Sequence, residues 1–497
     1  MITFIVCLVA LVLGYVLYGA LTEKIFGMEP ERLTPAVANP DGVDSVPMGW
    51  MRIFLIQFLN IAGLGPIFGA VAGAMWGPVA FVWIVLGCIF AGAVHDYFSG
   101  MLSIRNGGAS IAEVVGIYLG PFFKHFTRLF SVVLLVLVGV VFVSGPAAIL
   151  SKIPSEIPPE ILSKIPSEIL GGFEIAFSFQ VCVYVIFAYY LLATLLPIDK
   201  LIGRIYPFFG LALLVMAAGI CYGLIAGGHA IPEMSFQNMH HNAGKYPIFP
   251  MLFITIACGA ISGFHATQSP LMARCVTSER LGRRIFYGAM IAEGIVAMIW
   301  AAAAMTFFGG VSALNETMSA SGHNPAWAVT EISAGFLGGI GGILALLGVV
   351  AAPITSGDTA FRSARLIIAD ALRLKQGPIL RRLAITIPLF AIGFLLTRIN
   401  FGIIWRYFAW SNQTLATIML WTAAMYLARK RGFHWLLSVP ATVMTAVCAT
   451  YILFAAEGFA LAYGLSVVIG VATALAALAA FLYAAQRSAR GAARHVC

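Results

Sequence analysis

The feature that most constrains this chain is a succession of apolar runs, each long enough to cross a lipid bilayer, that takes up nearly all of its length. A helical span needs about 20 apolar residues. Such runs read at about 2–22, 51–75, 78–101, 127–150, 174–196, 203–228, 247–273, 285–309, 333–372, 383–398, 402–428, 434–456 and 459–486. Hydrocarbon satisfies no backbone hydrogen bond, so a chain built this way must be helical across the membrane. The expectation is an all-α polytopic membrane protein of about 13 transmembrane helices in one bundle. The run at 333–372 is over-long and predicts a span plus a cytoplasmic extension. Only 10% of the residues are charged and 61% are hydrophobic, which excludes the soluble globular classes. The formal charge of +9 comes from basic residues dispersed at the ends of apolar runs, so nucleic acid is not an expected partner.

Those basic residues fall on alternate connections. Lys24, Arg32 and Arg52; Arg105, Lys124 and Arg128; Lys200 and Arg204; Arg274, Arg280, Arg283 and Arg284; Arg373, Lys375, Arg381 and Arg382; Arg429, Lys430 and Arg431; and Arg487, Arg490 and Arg494 share one side. By the positive-inside rule that side is cytoplasmic, which puts the N-terminus outside and the C-terminus inside. The opposite connections include 229–246, with His229, His240 and His241, and 310–332. The first run lacks a basic leader segment and reads as a retained span. Most of the eight cysteines lie inside apolar runs without a CxxC pair, as packing residues do. A tandem near-copy at 151–171, Ser151–Ile157 and Ser163–Ile169, reads as a duplication tolerated in a surface loop.

A shift of about 200 residues lays the spans starting near 51, 78, 127, 174 and 203 onto those starting near 247, 285, 333, 383 and 402. Five is an odd number, so the second copy enters from the opposite face, the inverted-repeat design of many secondary transporters. One transporter domain over 1–497 then divides into an extra N-terminal span and cytoplasmic loop (1–50), repeat one (51–228), repeat two (247–428) and C-terminal spans (429–497). The first span of each copy is interrupted, by Gly63-Leu-Gly65-Pro66 and by Gly259-Ala-Ile-Ser-Gly263 with Pro270 beyond. Glycine weakens a helix and proline removes a backbone bond, so both spans are expected to unwind near the midplane and offer backbone groups to a ligand. Gly63, Gly65, Gly263, Phe264, His265 and Gln268 are therefore candidate substrate-binding residues.

Ionisable groups at membrane depth form the next filter, because each is costly unless paired or functional. His95 and Asp96 are gate candidates, with a structural salt link to Arg105 as the competing reading. His265 beside the second break and Glu293 in mid-span are proton-relay candidates. Arg406, Asn412 and Gln413 offer contacts to a substrate carboxylate, although Arg406 lies near the outer end, where arginines also snorkel. In Ala351–Thr359 the hydroxyls of Thr355 and Ser356, the carboxylate of Asp358 and carbonyls freed by Pro353 supply the hard oxygens an alkali cation requires. Asp358 is also a relay candidate. Hydroxyls back-bond within helices routinely, and that bland reading stands beside the cation site.

The segments Gln57–Gly69, His95–Ser103, Ser262–Cys275, Pro353–Arg365 and Trp405–Thr414, in this order, resemble the carbon starvation protein A family. The resemblance implies a bacterial-type inner-membrane importer for nutrient scavenging in carbon starvation, associated with peptides in some members and pyruvate in others. It also implies kinship with the amino acid/polyamine/organocation superfamily and its LeuT-like five-plus-five inverted repeat with added N- and C-terminal helices. In sodium-coupled relatives a Thr-Ser pair on the eighth core helix faces the first broken helix across a sodium site. Thr355 and Ser356, with Ala352, hold that place here. This chain is shorter than the long members, which carry extra C-terminal membrane segments. The expected function is secondary-active, ion-coupled import of a small carboxylate-bearing nutrient, peptide or pyruvate. No cofactor is expected, and Na⁺ or H⁺ serves as coupling ion. The chain shows no P-loop, HExxH or nucleophile motif, so an enzyme is not expected. A membrane nutrient sensor or channel without active transport is the alternative.

Overall fold

In a computed structural model, residues 1–40, 42, 44–151, 177–195, 202–320, 323–374 and 378–494 are described. Apart from Ser151, the tandem segment at 151–171 lies outside them, as do Lys200 and Lys375. Among the described residues the regular structure is helical and without strands. The principal helices are α1 (Ile2–Phe26), α2 (Trp50–Ile61), α3 (Gly65–Trp76), α4 (Val79–Arg105), α5 (Ile111–Leu119), α6 (Pro121–Leu150), α7 (Phe179–Leu195) and α8 (Ile202–Ala226). They continue with α9 (Ile248–Leu252 and Phe253–Ile256), α10 (Gly263–Ala273), α11 (Glu279–Phe307), α12 (Val311–Met318), α13 (Pro325–Ala345) and α14 (Ala352–Leu372). The last four are α15 (Ile379–Leu396), α16 (Phe401–Arg429), α17 (Trp435–Phe454) and α18 (Tyr463–Arg494).

Among the described residues nine spans are long and apolar enough to cross a membrane, and the bent pair α2–α3, with a 47° angle, makes a tenth. The other expected spans are α7, the α13–α14 region and α16. The last two carry polar side chains turned inward, such as Thr355, Ser356, Asp358, Asn412 and Gln413, all buried, so composition alone ranks them below the rest. The over-long run at 333–372 divides at Gly338, whose φ of 58° turns the chain inside α13. Only glycine takes that conformation without strain.

Burial separates a core from a periphery. In α4, α6, α11 and the α9–α10 span, 78% of the apolar window is enclosed by protein, against 28% for α1 and 22% for α18. The two flanking helices turn apolar side chains such as Val6, Leu17, Val468 and Tyr483 outward, the surface a bilayer covers.

Polar contacts sort the connections into two sets. The Met1 ammonium donates to Ile231 O (3.0 Å) and Glu233 Oε1 (2.6 Å), placing the N-terminus with the 229–246 connection. At the opposite end, Arg105 donates to Glu279 Oε1 (3.0 Å), to Gly27 O (2.6 Å) and to the Tyr426 hydroxyl (2.5 Å). Arg105 thus ties the connection after α1, the start of α11 and the last turn of α16 together on the face that the basic residues mark, and it does not bond to Asp96. Its guanidinium beside Glu29 holds that exposed carboxyl below the usual carboxylate range.

Candidate functional site

Both expected helix breaks are present. Helix α2 ends at Ile61, Ala62 leaves helical geometry (φ −84°, ψ 38°), and α3 restarts at Gly65 with Pro66 in its first turn, where a missing N–H costs nothing. In the second broken span the helix ends at Ile256, passes through a tight turn at Ala257–Gly259 and an extended Ser262, and restarts at Gly263. Ala257 has φ 39°, a region that L-residues avoid and that concentrates at functional sites.

Two amides from α16 satisfy the backbone this break leaves open. Asn412 Oδ1 accepts from Phe264 N (2.7 Å) and Ser262 Oγ (3.0 Å), while its Nδ2 donates to Cys258 Sγ (3.1 Å). Gln413 Nε2 donates to Ile261 O (2.6 Å). Both expected substrate contacts thus hold the break itself. The glycines serve close packing: a Cβ on Gly65 would lie 2.5 Å from Cys258 Cβ and Sγ, and one on Gly263 would lie 2.4 Å from Asn412 O. A Cβ on Gly63 would meet the Phe142 ring at 2.8 Å, and that ring packs against Phe264 with centroids 5.9 Å apart. The two breaks are in direct contact, Gly65 of one against Cys258 of the other.

Beside the second break four ionisable side chains meet. His265 Nδ1 lies 2.9 Å from Asp96 Oδ2, and His95 Nδ1 lies 2.8 Å from Asp96 Oδ1. His265 Nε2 lies 3.3 Å from Glu293 Oε2, close enough for charge attraction but not aligned as a hydrogen bond. All four side chains have zero solvent exposure. Where Asp96 is ionised it only accepts, and both Nδ1 atoms then carry hydrogen toward it. His265 Nε2 then faces the Glu293 carboxyl. The two gate candidates and two relay candidates therefore form one row, contributed by α4, α10 and α11. Nothing in the local sequence marks this union, because the residues lie on three helices up to 198 positions apart.

The hydroxyl cluster lies against the first break. Ser356 Oγ is 2.9 Å from Leu59 O and 3.1 Å from Ala352 O, and Thr355 Oγ1 donates to Ala352 O at 2.7 Å. Thr359 Oγ1 donates to Ser356 O at 2.9 Å and approaches Asn60 Oδ1 at 3.4 Å. Hydroxyls and carbonyls from α2 and α14 thus converge, the donor chemistry that suits an alkali cation. Asp358 sits apart from the histidine row: its Oδ2 accepts from the Tyr206 hydroxyl at 2.9 Å. Gln268 Nε2 donates to Ser363 Oγ (3.3 Å) and Thr267 Oγ1 (3.1 Å), joining α10 to α14. Arg406, half-exposed, pairs with Glu457 at 3.4 Å, so it belongs to the surface. Leu59 and Tyr206 were absent from the sequence candidates, since a backbone carbonyl and a lone tyrosine in an apolar run carry no signal.

On the face of the N-terminus, the 229–246 connection closes over the Trp76 end of α3. Trp76 Nε1 donates to Tyr246 O (3.0 Å), Met239 N donates to Trp76 O (3.3 Å), and Asn315 Nδ2 reaches Met75 O (2.9 Å). The His240 ring lies between those of Trp76 (4.6 Å) and Tyr246 (4.5 Å). Burial, and then the neighbouring His241, push its pKa from 6.5 down to about 4.

The sequence profile of the family described as Carbon starvation protein CstA matches residues 1–172 and 163–341. An uncharacterized membrane protein of Haemophilus influenzae is 47% identical over 354 residues, covering 64% of this chain and 95% of that one. The pyruvate/proton symporter BtsT of Escherichia coli is 28% identical over 57% of this chain and 46% of the symporter. The peptide transporter CstA of Campylobacter jejuni is 29% identical over 58% and 47%. The chain spans about half the length of these two named transporters. Among solved structures, MhsT in complex with L-phenylalanine superposes with a TM-score of 0.53 at 14% identity, over 88% of this chain and 99% of that one. That likeness gives the fold, the five-plus-five LeuT-like arrangement.

Proposed function

This chain belongs to the carbon starvation protein CstA family, and from that premise we propose that it is a secondary-active importer of a small carboxylate-bearing nutrient, pyruvate or a short peptide. The two relatives named for an activity transport one or the other and are transporters, not enzymes. The observation that carries the reading is the buried row His95–Asp96–His265–Glu293 directly beside the second helix break. Two carboxylates and two imidazoles without solvent are neutral overall only when they share two protons, so the charge of the row depends on protons taken up and released. A buried net charge is costly. Proton loading therefore biases how tightly α4, α10 and α11 hold together, and α10 begins at the break where substrate is expected. Substrate and proton are coupled because both act on the same element. The half-helix starts at Gly65 and Gly263 carry the partial positive charge that suits a substrate carboxylate.

A second reading is favoured by one specific contact. Ser356 Oγ on Leu59 O, with Thr355 and Ala352 adjacent, supports a sodium ion held by these oxygens between α2 and α14. The ion would supply attraction between those helices and so drive the same closure. Orientation follows from the charge rule: the Arg105–Glu279 face is cytoplasmic in a bacterial inner membrane, and the N-terminus with the 229–246 connection is outside. The repeat boundaries at 51–228 and 247–428 are part of the same proposal, supported by the matching breaks. Counterflow of labelled pyruvate and of short peptides in proteoliposomes tests the substrate class. Exchange of one of them supports the reading, and exchange of neither overturns it.

A further inference from the structure

Outside the row already described, the strongest concentration of buried charge lies on α14. Thr355, Asp358, Arg362 and Arg365 recur at helical spacing along one face of that helix, while Ser356, Thr359 and Ser363 form the adjacent face turned to the broken spans. Seven residues separate Asp358 from Arg365, about 10 Å along the helix. Arg365 therefore stands toward the end of α14 where the 44–48 segment docks through Ser45 Oγ on Arg274 O (3.2 Å) and Met48 N on Cys275 O (3.2 Å). That is the face held by Arg105 and Glu279.

Three guanidiniums gather there. Arg362 Nη2 donates to Ala193 O (2.9 Å), its Nη1 lies 3.5 Å from Asp44 Oδ1, and Arg382 Nη1 donates to Thr194 O (3.2 Å). Both thus bind the carbonyl end of α7, where positive charge is favoured. Arg365 is different. Its residue is 1% exposed, and among the described residues none of its three guanidinium nitrogens has a hydrogen-bond partner. Among the described residues it lies within electrostatic reach of Arg362, Arg382, Asp44 and Asp358, three cations against two carboxylates. An arginine buried with five free N–H donors is unfavourable unless an anion meets it in some state of the working protein. Guanidinium presents a planar fork that matches a carboxylate.

We propose that Arg365 is the anchor of a second carboxylate-binding site, distinct from the helix breaks, which receives the substrate's carboxylate on the inner side of the bundle before release. This inference rests on the reading of the chain as a carboxylate importer. Gln268 Nε2 on α10 donates to Ser363 Oγ (3.3 Å), and Ser363 precedes Arg365 by two residues on α14, so polar side chains extend from α10 to the arginine-bearing turn. An anion leaving the breaks meets increasing positive charge toward the cytoplasmic face.

The test uses full-length protein in proteoliposomes of known orientation, with half-saturating pyruvate measured separately from each face. Arg365→Gln should raise the half-saturating concentration at least ten-fold from the Arg365 face and less than two-fold from the opposite face. Arg365→Lys, which keeps the charge and loses the fork, should fall between the two. Equal effects on both faces, or none, overturn the proposal. If the wild type carries no pyruvate, the same comparison is made with the short peptide that passes counterflow; if it carries neither, it is the transport reading that fails, and the site is then judged by thermal protection of the detergent-solubilised protein by pyruvate. Protection that needs at least ten-fold more pyruvate in Arg365→Gln supports the site, and equal potency or no protection overturns it. Where Arg365→Gln does not fold, Arg365→Lys decides by the same comparison of faces.

Discussion

Asp96→Asn isolates the charge at the centre of the buried row. The carboxylate accepts from His95 at 2.8 Å and from His265 at 2.9 Å. Asparagine keeps the shape, but its oxygen can accept from only one imidazole, and its NH₂ must donate to the other, which then has to present an unprotonated Nδ1. Breaking a buried charge pair costs about 3–5 kcal/mol, so the variant should reach the membrane with lowered thermal stability. The larger effect is on coupling. One proton moving down a one-unit pH gradient supplies about 1.4 kcal/mol, a ten-fold concentration ratio. Wild type should therefore accumulate substrate about ten-fold per unit of imposed gradient, and Asp96→Asn should bring it only to equilibrium while still exchanging labelled for unlabelled substrate. The assay compares gradient-driven uptake with counterflow in the same proteoliposomes. Accumulation by Asp96→Asn equal to that of wild type would refute the assignment of the row to coupling.

Three further outcomes are expected. Gly263→Ala places a Cβ 2.4–2.5 Å from the backbone atoms Asn412 O and Ala416 N, which cannot yield, so it should lower the melting temperature in detergent more than Gly65→Ala, whose neighbour is the Cys258 side chain; overpacking of this kind costs about 1–3 kcal/mol. Thr355→Ala with Ser356→Ala should leave proton-driven accumulation intact if the row couples transport, and should raise the sodium requirement of uptake if the hydroxyl site does. Because His240 has its pKa lowered from 6.5 to about 4 in the folded protein, the unfolded chain takes up its proton first; stability should fall as pH drops from about 6.5 towards 4 and level off below, and His240→Phe should flatten that fall in thermal melts at pH 7 and pH 5.

Much of the architecture is legible because a bilayer permits few solutions: apolar runs give helices, and Gly-Pro interruptions at matching positions give the breaks. The hydroxyl cluster was also readable, since Thr355 and Ser356 share one helix with Pro353. What was hidden depends on pairing between distant segments. His95 and Asp96 read as gate candidates or as partners of Arg105 at the end of the same span, yet Arg105 turns to Glu279 and the histidine row closes across α4, α10 and α11. Asn412 and Gln413 read as ligand contacts because polar groups in a span demand a partner, and the partner is the backbone of the break. Arg365 carried no separate signal, being one arginine in a short basic stretch whose isolation emerges only once Arg362 and Arg382 are committed elsewhere.

The central claim, that protons taken up by the His95–Asp96–His265–Glu293 row drive import, is tested most directly by uptake into proteoliposomes under a pH gradient alone, with sodium absent on both sides. The substrate is whichever of pyruvate or short peptide passes the counterflow assay. Accumulation above equilibrium that an added proton ionophore abolishes is the expected result. Accumulation that appears only when a sodium gradient is imposed, with no response to the pH gradient, would contradict it.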